Sequence, residues 1–215
     1  MDMDGTLLDT EHAYRDAFAE ACAELGWDMD EAAYARCIGT TYEEGRDALI
    51  AAFGADFPID QIHRRWAAHY PAIAAQRGLR AMPGARALLE ALVEWGLPVA
   101  LVTSTDRETA GAKLNETNLD RFFRVRVCGG EASASKPDPA PFLQAARLLG
   151  AEPIHCLVLE DSPNGVRAGV AAGMRVVQIP DLVPVTPELR ALGHSVHESL
   201  AQTLDELRQA RGIGD

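Results

Sequence analysis

Lysine is nearly absent. Only Lys113 and Lys136 occur among 215 residues, against eighteen arginines, and acidic residues leave a net charge of −12 and a pI near 4.9. An acidic surface repels phosphate backbones and anionic lipid, which argues against nucleic acid or a membrane as the main partner. It also means that a bound phosphate needs local positive charge, from a metal ion or from a placed Lys or Arg. Cysteine is sparse too. Cys22, Cys37, Cys128 and Cys156 form no C-x-x-C pair and lie at no metal-site spacing from histidine. They read as free thiols in a reducing compartment. No apolar run reaches the ~20 residues that cross a bilayer, and no charged-then-apolar leader opens the chain. The expectation is a soluble cytoplasmic protein, a monomer or small homo-oligomer. Aromatics are only 6%, but 47% hydrophobic and 24% charged residues mark an ordinary globular chain rather than a disordered one. Repeats and low-complexity tracts are missing.

What is present divides by pattern. The length suits one sizeable core, or a core with a small accessory domain. Residues 12–81 read as all helix: Tyr14, Phe18, Ala21, Cys22 and Leu25 recur at helical spacing, as do Ile62, Trp66, Tyr70 and Ile73. Thr41 to Glu44 has the form of a capping box ahead of Leu49 and Phe53. From residue 84 the pattern alternates. Helices are expected at Leu88–Val93, 107–117, 139–149 and 163–172. Strands are expected at Pro98–Thr103, 125–128, Ile154–Leu159 and Arg175–Ile179. Thr186-Pro187 opens a short helix, and Leu200, Leu204 and Leu207 mark a last amphipathic one. Alternating β and α units predict an α/β fold with a doubly wound parallel sheet, whose ligands bind at the carboxyl ends of the strands.

Four polar clusters stand at such ends: Asp2-Met3-Asp4-Gly5-Thr6, Thr103-Ser104-Thr105, Lys136-Pro137 and Glu160-Asp161-Ser162. Phosphoryl transfer needs a nucleophile, charge neutralisation, and a proton donor and acceptor. A carboxylate can be the nucleophile. Asp2, Asp4, Glu160 and Asp161 crowded together would repel one another and the phosphate, so they call for a hard cation with oxygen ligands, best Mg²⁺. Lys136 adds positive charge, the Thr103 hydroxyl can bond a phosphoryl oxygen, and Gly5 permits a tight turn. Each cluster alone has a plainer reading, as a solvated loop lysine, a polar terminus or a helix cap. Their occurrence together, in order, at successive strand ends favours the chemical one.

Asp2-Met-Asp-Gly-Thr-Leu-Leu-Asp9 resembles the first signature of the haloacid dehalogenase-like hydrolase superfamily. Thr103 resembles the second, Lys136-Pro137 the third and Glu160-Asp161 the fourth. The likeness covers essentially the whole chain and is greatest to the branch with a helical cap, the β-phosphoglucomutase-like and phosphoglycolate phosphatase-like enzymes. It implies a Rossmann-like catalytic core of residues 1–11 and 82–215 and a cap of residues 12–81. It implies Asp2 as nucleophile and Mg²⁺ ligand, and Asp4 as general acid and base that lends its backbone carbonyl to the metal. Asp161 would be a further metal ligand, with Glu160 nearby or behind it. Thr103 and the Ser104 backbone would hold the phosphoryl group, and Lys136 would bridge nucleophile and phosphate. The expected activity is hydrolysis of a small phosphorylated metabolite, such as a sugar phosphate, through an aspartyl-phosphate.

Departures narrow this. Asp4 sets dehalogenation aside, and residues 12–81 hold no lysine for a Schiff base. Tyr14 and Tyr42 fall where mutase relatives place a cap histidine and arginine, which favours a phosphatase over the alternatives, a sugar phosphate mutase or a non-catalytic binding protein. Thr40, Thr41 and Arg46 are candidate substrate contacts, although capping and solvation explain them equally. The histidines form no ligand pair on one helix face; His194 and His197 are expected at the surface, and Trp27, Trp66 and Trp95 in packing roles. Relatives precede the nucleophile with a hydrophobic strand, here reduced to Met1. A hole beside Asp2, a loose Asp2, and a natural start several residues upstream are therefore expected.

Overall fold

The computed structural model describes residues 1–38, 40 and 42–212, with the backbone alone at residue 44. The expected Thr41–Glu44 capping box therefore lies outside the described residues. Four helices come first: α1 (Glu11–Glu24), α2 (Glu31–Ala35), α3 (Tyr42–Phe53) and α4 (Ile59–Arg77). Then α5 (Ala85–Glu94), β1 (Ala100–Val102), α6 (Arg107–Glu116), β2 (Val125–Val127), α7 (Ala140–Leu149) and β3 (Leu157–Glu160) follow. The chain continues through α8 (Pro163–Ala171), β4 (Arg175–Gln178), α9 (Pro187–Arg190), β5 (Ser195–Val196) and α10 (Leu200–Ala210).

All strand pairings are parallel: β1 with β2, and β3 with β4, which pairs in turn with β5. Met1 and Asp2 join the two sheets. The Met1 amine donates to the Ala100 carbonyl at 2.8 Å, Val102 N–H donates to the Met1 carbonyl at 2.8 Å, and Asp2 N–H donates to the Leu159 carbonyl at 3.0 Å. Backbone bonds thus run from β2 to β5 through these two residues. Asp2 is anchored on both sides and 7% exposed, contrary to the expected loose position. An apolar cleft of about 290 Å³ opens behind Met1, between Val99, which precedes β1, and Leu157 of β3.

Period-two alternation along the strands feeds two cores, as a sheet covered on both faces requires. Leu101, Leu159 and Val177 face α5, α6 and α10, where Leu88, Leu89, Leu114 and Leu204 are buried. Ala100, Val102, Val127, Val158 and Val176 face α7, α8 and α9 with Phe142, Ala145, Val166 and Leu189. Helices α1–α4 have a core of their own, built from Phe18, Cys22, Tyr34, Leu49, Phe57 and Ile62. No helix among the described residues is long and apolar enough to cross a membrane.

Several elements are shorter than their apolar runs suggest. Residues 98 and 99 precede β1, and Ile154 lies in a 3₁₀ turn with 66% of its surface exposed, so β3 begins only at Leu157. Pro98 has no N–H to give to a ladder, and residues 153–156 close a turn instead, with Cys156 N–H donating to the Pro153 carbonyl at 2.9 Å. His197 is buried rather than superficial, with Nδ1 2.8 Å from Thr203 Oγ1 and Nε2 3.2 Å from Glu206.

Candidate active site

The ends of the central strands converge on one cleft of about 300 Å³. Asp2, Asp4, Thr103, Ser104, Lys136 and Asp161 line its floor, and Glu11, Tyr14, Thr40 and Trp66 line it from the helical side. Parallel strands all point their carboxyl ends the same way, so residues far apart in sequence meet there. All six floor residues belong to the expected catalytic, phosphate-holding and metal-binding set.

Lys136 is the hub. Its Nζ donates to Asp2 Oδ1 at 2.6 Å, to Glu160 Oε1 at 2.6 Å and to the Val102 carbonyl at 2.9 Å. Burial opposes the lysine's charge, but Asp2 and Glu160 outweigh it and hold the group above the usual lysine range. The second oxygen of Glu160 accepts from Ser162 N–H and from Ser162 Oγ, both at 2.9 Å. With both oxygens engaged and no exposed surface, Glu160 is the anchor that positions Lys136 and lies off the cleft. A Cβ at Gly165 would fall 1.8 Å from the Glu160 carboxyl, so only glycine lets α8 approach.

The first turn is equally constrained. Gly5 has φ +77°, and a Cβ there would sit 2.5 Å from Asp161 Oδ2. Thr6 Oγ1 donates to Asp161 Oδ1 at 2.9 Å, and Gln178 Nε2 holds the Asp161 carbonyl at 2.9 Å. Asp2 is pushed up to about 7 by burial, with repulsion from Glu160 adding and Lys136 opposing. Asp161 is raised well above the ordinary carboxylate range by burial and by the charges of Glu160 and Asp2.

Asp4 has partners that the motif reading missed. Its Oδ1 accepts from Lys113 Nζ at 2.6 Å and from Thr10 Oγ1 at 2.8 Å; its Oδ2 accepts from Thr105 Oγ1 at 2.7 Å. Both lysines of the chain therefore serve the acids of this site. A signal for Lys113 was available: Ala110, Lys113, Leu114 and Thr117 recur on the buried face of α6, where an unpaired lysine is untenable. Thr103 Oγ1 accepts from Thr105 N–H at 3.1 Å, which shapes the loop after β1. Glu11, also missed, is pushed up to about 8 by burial and by the neighbouring charges of Asp4 and Asp181.

Of the cap candidates, Thr40 lines the cleft. Arg46 is not brought there; its guanidinium lies 3.8–3.9 Å from Asp60 and Asp47. Thr41 lies outside the described residues. Trp66 does more than pack: it lines the cleft while its Nε1 donates to the Tyr14 carbonyl at 2.8 Å.

The donor set is all oxygen and suits a hard cation. No ready cage of three or more His, Cys, Asp or Glu side chains exists among the described residues. Asp4 is turned toward Lys113, so Asp2 and Asp161 are the floor carboxylates placed to ligate a metal. Both are buried and raised chiefly by that burial, and such a pair fits Mg²⁺, which keeps several waters and binds through one or two carboxylates.

The sequence pattern of the haloacid dehalogenase-like hydrolase family matches residues 1–173, and the chain belongs to that family. It is 31% identical over 207 residues to a bifunctional riboflavin kinase/FMN phosphatase of Arabidopsis thaliana, covering 95% of this chain but 53% of that protein. The chain thus spans about half the length of that relative. A phosphorylated carbohydrates phosphatase of Thermotoga maritima is 31% identical over 173 residues, 80% of each chain. Among solved structures, a hydrolase of this family from Deinococcus radiodurans, with bound phosphate and sodium, superposes with a TM-score of 0.78 at 28% identity. That likeness covers 99% of this chain and 94% of the other.

Proposed function

We propose that this protein is a Mg²⁺-dependent phosphatase of a small phosphorylated metabolite, working through a phosphorylated Asp2. The carrying observation is that Asp2 lies 2.6 Å from a buried lysine, in the same cleft as a separately held acid, Asp4. Residues 12–81 are taken as a cap over a catalytic core made of residues 1–11 and 82–215. Asp2 attacks phosphorus, and the bond from phosphorus to the leaving oxygen breaks. Asp4 gives that oxygen a proton. Asp4 then takes a proton from water, which attacks phosphorus and releases inorganic phosphate and free Asp2. Lys136 neutralises the nucleophile and the transferring group, and Thr103 and the Ser104 backbone bond the phosphoryl oxygens. Mg²⁺ held by Asp2 and Asp161, with the Asp4 carbonyl, would supply the remaining positive charge. Lys113, Thr10 and Thr105 orient Asp4.

Support comes from family membership and from two relatives named as phosphatases, of FMN and of phosphorylated carbohydrates. A mutase must seat a second phosphate in the cap, and Arg46 is occupied elsewhere. The test is phosphate release from a panel of phosphate monoesters, with Mg²⁺ and with EDTA, for the chain and for Asp2→Asn. Metal-dependent release that vanishes in the variant is expected; release that survives Asp2→Asn refutes the assignment.

A further inference from the structure

Beside the catalytic cleft lies a second space of about 480 Å³, wholly within the helical segment. Tyr14, Cys37, Thr40 and Trp66 line both, so the phosphate site and this chamber share a wall. The two volumes lie in the ~300–1,000 Å³ range of small-molecule sites. The chamber is where the leaving group of a bound phosphate ester must go, because the floor is taken by the phosphoryl machinery.

Its walls are rings. His63, Trp66, Ala67 and Tyr70 recur at helical spacing and present one face of α4 to it. Tyr70 stacks on Tyr14 with centroids 4.0 Å apart; Tyr42 lies 4.6 Å from His63, and His63 is nearly parallel to Trp66 at 5.8 Å. Gly45 and Ala67 contribute no bulk between them. Among the described residues lining the chamber there is no Lys, Arg, Asp or Glu, so nothing there pairs with a second phosphate or a carboxylate.

We propose that the chamber selects phosphate monoesters whose alcohol carries a planar aromatic or heteroaromatic ring, seated among Tyr42, His63 and Tyr70. This rests on the phosphatase reading and adds its substrate class. Aromatic faces attract a planar ring by offset or edge-on contacts beyond the area buried. Tyr42 is the residue to perturb, because it is 59% exposed, packs no core and touches no catalytic group.

Benzyl, cyclohexylmethyl and propyl phosphates share a similar leaving alcohol and differ in ring planarity and bulk. For the whole chain with Mg²⁺, kcat/KM is expected to be highest for benzyl phosphate, by about tenfold over the other two. Tyr42→Ala should lower the benzyl value roughly three- to tenfold, mainly through KM, the worth of one aromatic contact. The loss for propyl phosphate should be smaller than for benzyl phosphate, and a thermal melt of the variant certifies the fold. Equal values for all three esters, or a uniform loss in Tyr42→Ala, would overturn the proposal while leaving the phosphatase reading intact. Release from none of them sinks the phosphatase reading instead. Tryptophan fluorescence of Asp2→Asn then decides the chamber separately. Quenching by benzyl but not propyl phosphate, lost on adding Tyr42→Ala, supports ring binding, and equal responses refute it.

Discussion

Replacing Lys113 by methionine isolates the part of the site that no motif announced. The side chain is 8% exposed and its Nζ lies 2.6 Å from Asp4 Oδ1, so the substitution keeps the apolar stem and deletes that charged hydrogen bond, with a longer one of 3.5 Å to the Tyr14 hydroxyl. Asp4 retains Thr10 and Thr105 at 2.8 and 2.7 Å. The carboxylate is therefore not stranded, and the loss should stay below the ~3–5 kcal/mol seen when a buried ion pair is broken outright. A hydrogen bond to a charged group is worth ~1.5–3 kcal/mol. If that interaction serves to aim Asp4, the same energy appears in the barrier, and each ~1.4 kcal/mol is tenfold in rate. The expectation is a fall in kcat of roughly ten- to a hundredfold with KM little changed. Lys113→Arg, which keeps the charge with altered reach, should recover part of the rate. Steady-state kinetics, with thermal melts as a check on folding, make the measurement. A folded Lys113→Met protein with kcat within twofold of the parent would refute the assignment of Lys113 to Asp4.

Lys136→Met leaves Asp2 and Glu160 buried without a cation and should abolish phosphate release. It should also destabilise the fold by ~3–5 kcal/mol, read from urea unfolding, because both carboxylates lose their common partner. Mg²⁺ should raise the melting temperature more above pH 7 than below it. Asp2, pushed up to about 7, stays protonated below that pH and must lose its proton to bind a cation. For the metal-free protein the sign reverses. A carboxyl whose value is raised on folding binds its proton more tightly in the native state, so this group's contribution to stability falls as pH rises from the ordinary carboxylate range toward 7. Melts with EDTA on either side of pH 7 test both statements. Gly5→Ala combines a left-handed φ of +77° with a Cβ 2.5 Å from Asp161 Oδ2. It should lose at least ~1–2 kcal/mol of stability and most of the activity, and an active, unshifted variant would contradict the turn geometry described above.

Much of this molecule could be read along the chain, because local patterns have local causes. Alternation of Leu101 with Ala100 and Val102, and of Val176 with Val177, follows from the two-residue period of a strand between two cores. Thr186, Ser162 and Asp106 cap helices through their own side chains, at spacings any sequence displays. Thr103 and Asp161 were legible for a related reason: in a parallel sheet, the residue that directly follows a strand is already placed at the ligand edge. Asp2, Asp4 and Lys136 follow no named strand directly and were legible from the resemblance of their motifs.

Tertiary packing alone decided which of these groups touch. Lys113 meets Asp4 across 109 positions, and Lys136 meets Asp2 across 134, contacts that depend on how α6 and the loop before α7 settle against the sheet. Glu160 and Asp161 are adjacent in sequence, yet strand alternation turns one inward to hold Lys136 and the other toward the cleft. Arg46 looked like a substrate contact by position on the chain, but α3 directs it toward Asp60. The ring-lined chamber exists only because α4 brings His63, Trp66 and Tyr70 against α1 and α3. Sequence period determines which face a residue occupies, and only the packing of one face on another determines its partner.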